Sequence, residues 1–215
     1  MEEKNLKNER EIAEATENKR RDDEKNQAAS GTPKDKGSVF TAKKLALIAA
    51  FTALAYGVSF IEFPVFPAAP FLKLDFSFAV MLIAAYMLGA LSGEIIVIVF
   101  SLLKLPFSQT GMIGEAANFI MAQFFVVLPA LVYGFKRKFS VVIISLCSSA
   151  VIISALSLVV NRYFLFPFYM QDGAAAFFNN VWYFVVAFNV IKCAANAVIT
   201  VLLYKKLKKI LHKFL

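Results

Sequence analysis

Five stretches of this chain run for sixteen residues or more with at most one charge: Leu45 to Ile61, Phe76 to Leu91, Ala116 to Phe135, Phe139 to Val160 and Val181 to Tyr204. Each is long enough, or nearly so, to cross about 30 Å of hydrocarbon as a helix. A buried soluble helix rarely runs that far without a polar face. With 59% hydrophobic residues over 215 positions, the chain reads as an all-α integral membrane protein.

The formal charge of +8 divides unevenly. Residues 1–44 hold eleven Lys and Arg against ten Asp and Glu, whereas the remainder holds twelve against five. The later positives cluster in short hydrophilic gaps, at Lys136 to Lys138 and at Lys205, Lys206, Lys208, Lys209 and Lys213, beside Lys43 and Lys44 before the first span. Such clusters mark the cytoplasmic side, so the basic balance reflects topology and argues against a nucleic-acid partner. Residues 1–40 are rich in Glu, Lys, Asn and Asp and poor in aromatics; they are expected to form a charged, disordered cytoplasmic tail, with residues 41–215 as the transmembrane domain. The start has no apolar core of the kind a signal peptide needs.

Helix count follows from the same charges. Residues 76–105 make one long helix or two short ones, and Gly89-Ala-Leu-Ser-Gly93 with Glu94 after it reads as a tight turn at a membrane surface. Only two helices place all three basic clusters on one side. The expectation is therefore six spans with both termini cytoplasmic, the third near Ser92 to Leu105. Three outer connections result: Glu62 to Asp75 with Pro64, Pro67 and Pro70, then Pro106 to Gly114, then about Asn161 to Asn180. Their length and aromatics suggest a pocket open outward, or else proline-rich caps on the helices.

Polar residues at membrane depth are the sharper signal. Asn189, Lys192 and Asn196 share one face of the last span. Lys192 lies 13 residues before Lys205, roughly 20 Å along a helix. A lysine at that depth must face protein, water or ligand. It is either an internal ion pair or a ligand contact; the two asparagines beside it and the scarcity of acidic partners favour contact. Gly111-Met-Ile-Gly-Glu-Ala-Ala-Asn118 puts glycines at an outer helix start, with Glu115 and Asn118 on one face. Gly114 would let a flat ligand approach closely, and Glu115 would complement the helix dipole or face a ligand. Asn161 stands at the outer end of the fifth span. In the first span Ala42, Ala46, Ala49, Ala50 and Ala53 line one side, a pattern that serves internal packing or docking of another membrane protein.

No P-loop stretch is present, and the one histidine, His212, lies in the basic C-terminal segment, so neither ATP hydrolysis nor a histidine metal site is expected. Cys147 and Cys193 fall inside spans, where they pack as small apolar residues. A membrane enzyme using Glu94 and Glu115 is disfavoured, because the two carboxylates fall at opposite faces.

From Ala42 to Lys209 the chain resembles the S components of energy-coupling factor (ECF) vitamin transporters, riboflavin-specific type. The resemblance rests on Pro70-Phe-Leu-Lys-Leu-Asp-Phe-Ser77, on Gly111 to Phe119, on Asn161-Arg-Tyr-Phe-Leu-Phe-Pro-Phe-Tyr169, on Phe188 to Lys192, and on the alanine row. It implies a non-enzymatic, multi-pass plasma-membrane protein that binds riboflavin as transported ligand, without a cofactor. It further implies partnership with an ECF transmembrane coupling subunit and two ATPase subunits. Carried over by motif, Asn161, Asn189 and Lys192 would bond the isoalloxazine edge, and Leu74, or a neighbour in that loop, and Gly114 would contact the ligand through backbone or packing. Phe71, Phe164 and Trp182 would pack against its faces, and Ala46, Ala49, Ala50 and Ala53 would dock the coupling subunit. Another vitamin or a flavin nucleotide is the rival ligand.

Overall fold

The computed structural model describes Glu17, Lys19 and residues 41–211 apart from 109, 110 and 137. The remainder of the expected tail and His212 lie outside the described residues. The chain from residue 42 is built of helices α1 (Ala42–Val58), α2 (Ser77–Leu88), α3 (Ala90–Lys104), α4 (Gly111–Ala122), α5 (Leu128–Phe135), α6 (Phe139–Val160), α7 (Phe166–Met170) and α8 (Ala174–Leu211). A two-stranded antiparallel ribbon, β1 (Phe63–Pro64) and β2 (Lys73–Leu74), joins α1 to α2, with Phe63 opposite Leu74 and Pro64 opposite Lys73.

Among the described residues, four continuous helical segments are long and apolar enough to cross a membrane: Ala90–Phe107, Gly111–Phe135, Phe139–Met170 and Ala174–Leu203. Helix α1 has 17 residues and α2 only 12. Large apolar side chains such as Leu102, Ile144, Val151 and Leu202 are exposed along these helices, which suits hydrocarbon as the surrounding solvent.

The expected interruption of residues 76–105 is present, and a single residue makes it. Gly89 holds φ at +95°, a region costly for any other residue, and its N–H closes α2 on the Ala85 carbonyl. Gly93 serves differently. A Cβ there would lie 2.5 Å from the Ala85 Cβ, so this glycine lets α2 and α3 approach to backbone contact. The third helix is longer than expected, continuing through a 3₁₀ turn at Leu105–Phe107, and α2 is the short one. Its shortness is tolerable because Phe78, Ala79 and Met81 to Tyr86 are buried in protein rather than lipid.

The third outer connection is also shorter than expected. Helix α6 runs on through a wide π turn (Asn161–Leu165) into α7, and α8 starts at Ala174, leaving Gln171 to Gly173 as the link. Asn179 and Asn180 belong to a helix that extends past the apolar stretch. A second π turn spans Gln123–Val127 between α4 and α5. Each π turn begins at a side-chain amide and has a proline six residues later, Pro129 after Gln123 and Pro167 after Asn161. A proline cannot donate to the carbonyl four residues back and its ring collides with it; the wider turn just upstream absorbs that defect.

Along α6, Ser145, Ser149, Ser154 and Ser157 are buried, and α6 packs against α8. Ser145, Ser154 and Ser157 return their hydroxyls to carbonyls of their own helix at 2.8–2.9 Å, which leaves a small-residue seam.

The entry into α2 is held from a distance. Asn196 on α8 is fully buried; its side-chain oxygen accepts from the Ala79 N–H at 2.8 Å and its amide donates to the Asp75 carbonyl at 3.0 Å. It therefore satisfies backbone groups that a helix start leaves open. Asn196→Val should destabilise the detergent-solubilised protein by about 1–2 kcal/mol, as lost interhelical hydrogen bonds typically do. The exposed Asn180→Val on the same helix should leave the thermal unfolding midpoint unchanged.

Candidate functional site

Between the first connection and helices α3, α4, α6, α7 and α8 lies a cavity of about 580 Å³. Gly114, Asn161, Asn189 and Lys192 all line it, so residues far apart in sequence meet at one space. Glu115 and Asn118 join them from α4. Leu74 does not. Its side chain is buried with Leu72, Phe166, Phe178 and Phe188 in an aromatic core beneath the ribbon, and its neighbours Lys73 and Asp75 reach the cavity instead. Leu72 belongs to both, packing with Leu74 in that core while also bordering the cavity.

The aromatic walls differ from expectation too. Phe71 lines the cavity, but Phe164 and Trp182 are 63% and 47% exposed on the outside of the bundle. Phe78, Phe100, Phe107, Phe166, Phe177, Phe188 and Tyr169 supply aromatic surface instead. Phe166 meets Phe71 and Phe177 edge-on, at centroid separations of 5.7 and 5.1 Å, a geometry that fixes each ring.

Lys192 has an acidic partner. Its Nζ donates to Asp75 Oδ2 at 3.0 Å, with side-chain exposures of 10% and 14%. The expectation that acidic partners are too scarce therefore fails. Asp75 stands at the end of a loop read as external, and the short α2 lets that loop dip into the bundle. The Asp75 carboxylate also accepts from the Ser77 hydroxyl and N–H. Lys192 lies 4.6 Å from the centre of the Phe78 ring, within cation–π range. An ammonium has three N–H donors, so the pairing leaves it able to donate into the cavity it lines.

The two asparagines are oriented by their own helices. Asn161 donates to the Ser157 carbonyl and Asn189 to the Val185 carbonyl, each at 2.8 Å. Each keeps one amide hydrogen and its carbonyl oxygen, for which the described residues offer no partner. The π turn matters here: it keeps residues four apart nearly in line, so Ser157, Asn161 and Leu165 all reach the cavity.

Toward the ribbon, Glu62 takes Lys73 at 2.9 Å and lies 3.9 Å from Lys104. Lys104 also donates to the Ser59 carbonyl at 3.3 Å, tying the end of α3 to the end of α1. Sequence reasoning passed over Lys104 and Glu62. The available signal was that Lys104 is the sole charge between Glu94 and Glu115.

The alanine row faces away from all this: Ala42, Ala46, Ala49, Ala50 and Ala53 are exposed on α1. Of the two cysteines, both unbonded, Cys193 is buried and Cys147 is exposed on α6.

Breaking the Asp75–Lys192 pair from one side strands a charge in the interior. Lys192→Met or Asp75→Asn alone should destabilise by about 3–5 kcal/mol, and the double variant by clearly less than the sum. Thermal unfolding in detergent measures this; additive losses would show that the pair is not coupled.

Comparison with known proteins converges on one family. Residues 43–204 match the model for "ECF transporter, substrate-specific component". The riboflavin transporter RibU of Staphylococcus aureus is 30% identical over 176 residues, covering 80% of this chain and 93% of that protein. RibU of Streptococcus thermophilus is 31% identical over 182 residues, covering 80% of this chain and 85% of that one. The riboflavin transporter FmnP of Bacillus subtilis is 26% identical over 178 residues, covering 77% and 92%. A solved structure described as the S component of a bacterial ECF transporter superposes with a TM-score of 0.69 at 29% identity, covering 79% of this chain and 97% of that one. The chain thus belongs to the substrate-specific S components of ECF transporters, a family of multi-pass bacterial membrane proteins and not of enzymes.

Proposed function

We propose that this S component captures riboflavin from outside the cell and delivers it through an ATP-driven partner module. The observation that carries the reading is the cavity itself. Its size falls within the range of small-molecule sites, about 300–1,000 Å³, and it combines aromatic walls with a small set of amide and ammonium groups. The pyrimidine edge of an isoalloxazine alternates carbonyl acceptors with one N–H donor. Asn161 and Asn189 each offer an acceptor and a donor, and Lys192 adds donors, so a neutral flat heterocycle can be satisfied there away from water. Gly114, without a side chain, gives the ring access to the α4 backbone, and Phe71 and Phe166 bound its faces.

In this reading the membrane is crossed six times, by α1, α2, α3, α4–α5, α6–α7 and α8, with both termini cytoplasmic. Lys43 and Lys44 stand in the first turn of α1, and Lys136 and Lys138 stand between α5 and α6, so the positive clusters share the inner side. The cavity then opens outward, toward the ribbon and the α3–α4 and α7–α8 links. The exposed Ala46, Ala49, Ala50 and Ala53 provide a face on which a helix of the coupling subunit packs closely. The fact that this face is not consumed by internal packing favours docking.

Riboflavin added to the purified protein should lose its fluorescence with submicromolar affinity. Asn189→Ala should weaken binding at least about tenfold, the scale of lost hydrogen bonds to a buried polar ligand. Unchanged titrations would remove that residue from the site. Replacing Ala46 and Ala50 with Phe should spare binding and abolish riboflavin uptake in cells; surviving uptake would place the docking face elsewhere.

A further inference from the structure

Among the charged groups of the cavity, Glu115 stands apart. The carboxylates of Glu62 and Asp75 are matched by Lys73 and Lys192 at 2.9 and 3.0 Å, and Lys104 lies beside Glu62. Glu115 is only 6% exposed and lines the cavity, yet among the described residues no hydrogen bond or ion pair reaches it. Its carboxylate oxygens are open to the cavity rather than sealed in protein, so the cavity's contents are the partners available to it. The helix dipole does not account for it, because the first turn of α4 contains no acidic residue and Glu115 stands in the second. Among the described residues nothing uses this group, and it borders the ligand space.

An ionised carboxylate only accepts hydrogen bonds. What settles against Glu115 must therefore bring donors, and hydroxyls are the neutral group that brings several. Resting on the riboflavin reading above, we propose that Glu115 accepts hydrogen bonds from the polyol chain of the ligand and sets a preference for the free polyol over its phosphate ester. The ring takes the end of the cavity formed by Asn161, Asn189 and Lys192, and the chain runs along α4, where Asn118 lies one turn beyond Glu115 on the same side. A terminal phosphate brings acceptors and negative charge to a wall that already holds an unmatched anion. Lys73 and Lys104 share the single carboxylate of Glu62, so the penalty falls on an ester placed against Glu115 rather than on one placed near the ribbon.

The test compares three ligands by fluorescence quenching on the full-length protein: riboflavin, lumiflavin (the ring without the polyol) and flavin mononucleotide. Glu115→Leu should weaken riboflavin at least about tenfold while changing lumiflavin by less than about twofold, since only one of them carries hydroxyls. Equal losses for both, or no loss for either, would overturn the proposal. Glu115→Gln keeps an acceptor and removes the charge, and covers the case in which the Leu variant does not fold. It should hold riboflavin binding and narrow the gap between riboflavin and flavin mononucleotide by at least about fivefold; an unchanged ratio would overturn the selectivity. Asn189→Ala should weaken riboflavin and lumiflavin alike. A wild-type protein that binds neither flavin would instead refute the ligand reading on which the assignment stands.

Discussion

The fold turns on a charge pair placed where charge is expensive. Asp75 and Lys192 meet at 3.0 Å inside the helical bundle, joined by an asparagine that holds the Asp75 carbonyl and the Ala79 N–H. Polypeptide outside a helix survives at membrane depth only when protein satisfies its polar groups. Here the end of the first connection is satisfied by Ser77, Lys192 and Asn196, so α2 can begin deep and remain short. That knot holds the α2 end of the connection, while Glu62 with Lys73 and the packing of Leu72 and Leu74 hold the ribbon over the aromatic core.

The same knot shows where sequence reasoning reached and where it stopped. Hydropathy blocks and the spacing of Asn189, Lys192 and Asn196 were legible because both follow from local geometry: a run of apolar residues and a helical period. The pairing of residues 117 positions apart was not, since a loop that folds back into the bundle has no periodic signature. Leu74 illustrates the limit on a smaller scale. Its loop borders the cavity through Phe71, Leu72, Lys73 and Asp75 while the Leu74 side chain turns into the core, and no local pattern in the sequence says which residue does which. Helix ends were misjudged for another reason. Falling hydropathy marks the edge of the apolar layer, and α8 ignores that edge, starting at Ala174 well before the apolar run at Val181.

The two π turns refine how the cavity is shaped. Prolines inside transmembrane helices are often treated as kinks, yet Pro129 and Pro167 each sit downstream of a widened turn that begins at an amide residue. Upstream of Pro167 the amide is Asn161, directed at the cavity; upstream of Pro129 it is Gln123, which donates to Glu94 at 3.2 Å. A backbone defect has been used twice to fix the register of a polar side chain within an apolar helix, once toward the ligand space and once toward a neighbouring helix.

The contact between Gly93 and Ala85 bears on how such a molecule can move. Two helices touching through backbone, with a glycine where any larger residue would collide, have no side-chain cushion to compress and no slack to take up. The α2–α3 hairpin therefore behaves as one stiff body. A rearrangement of the bundle would leave the spacing of this pair unchanged and fall to elements that meet it through side chains.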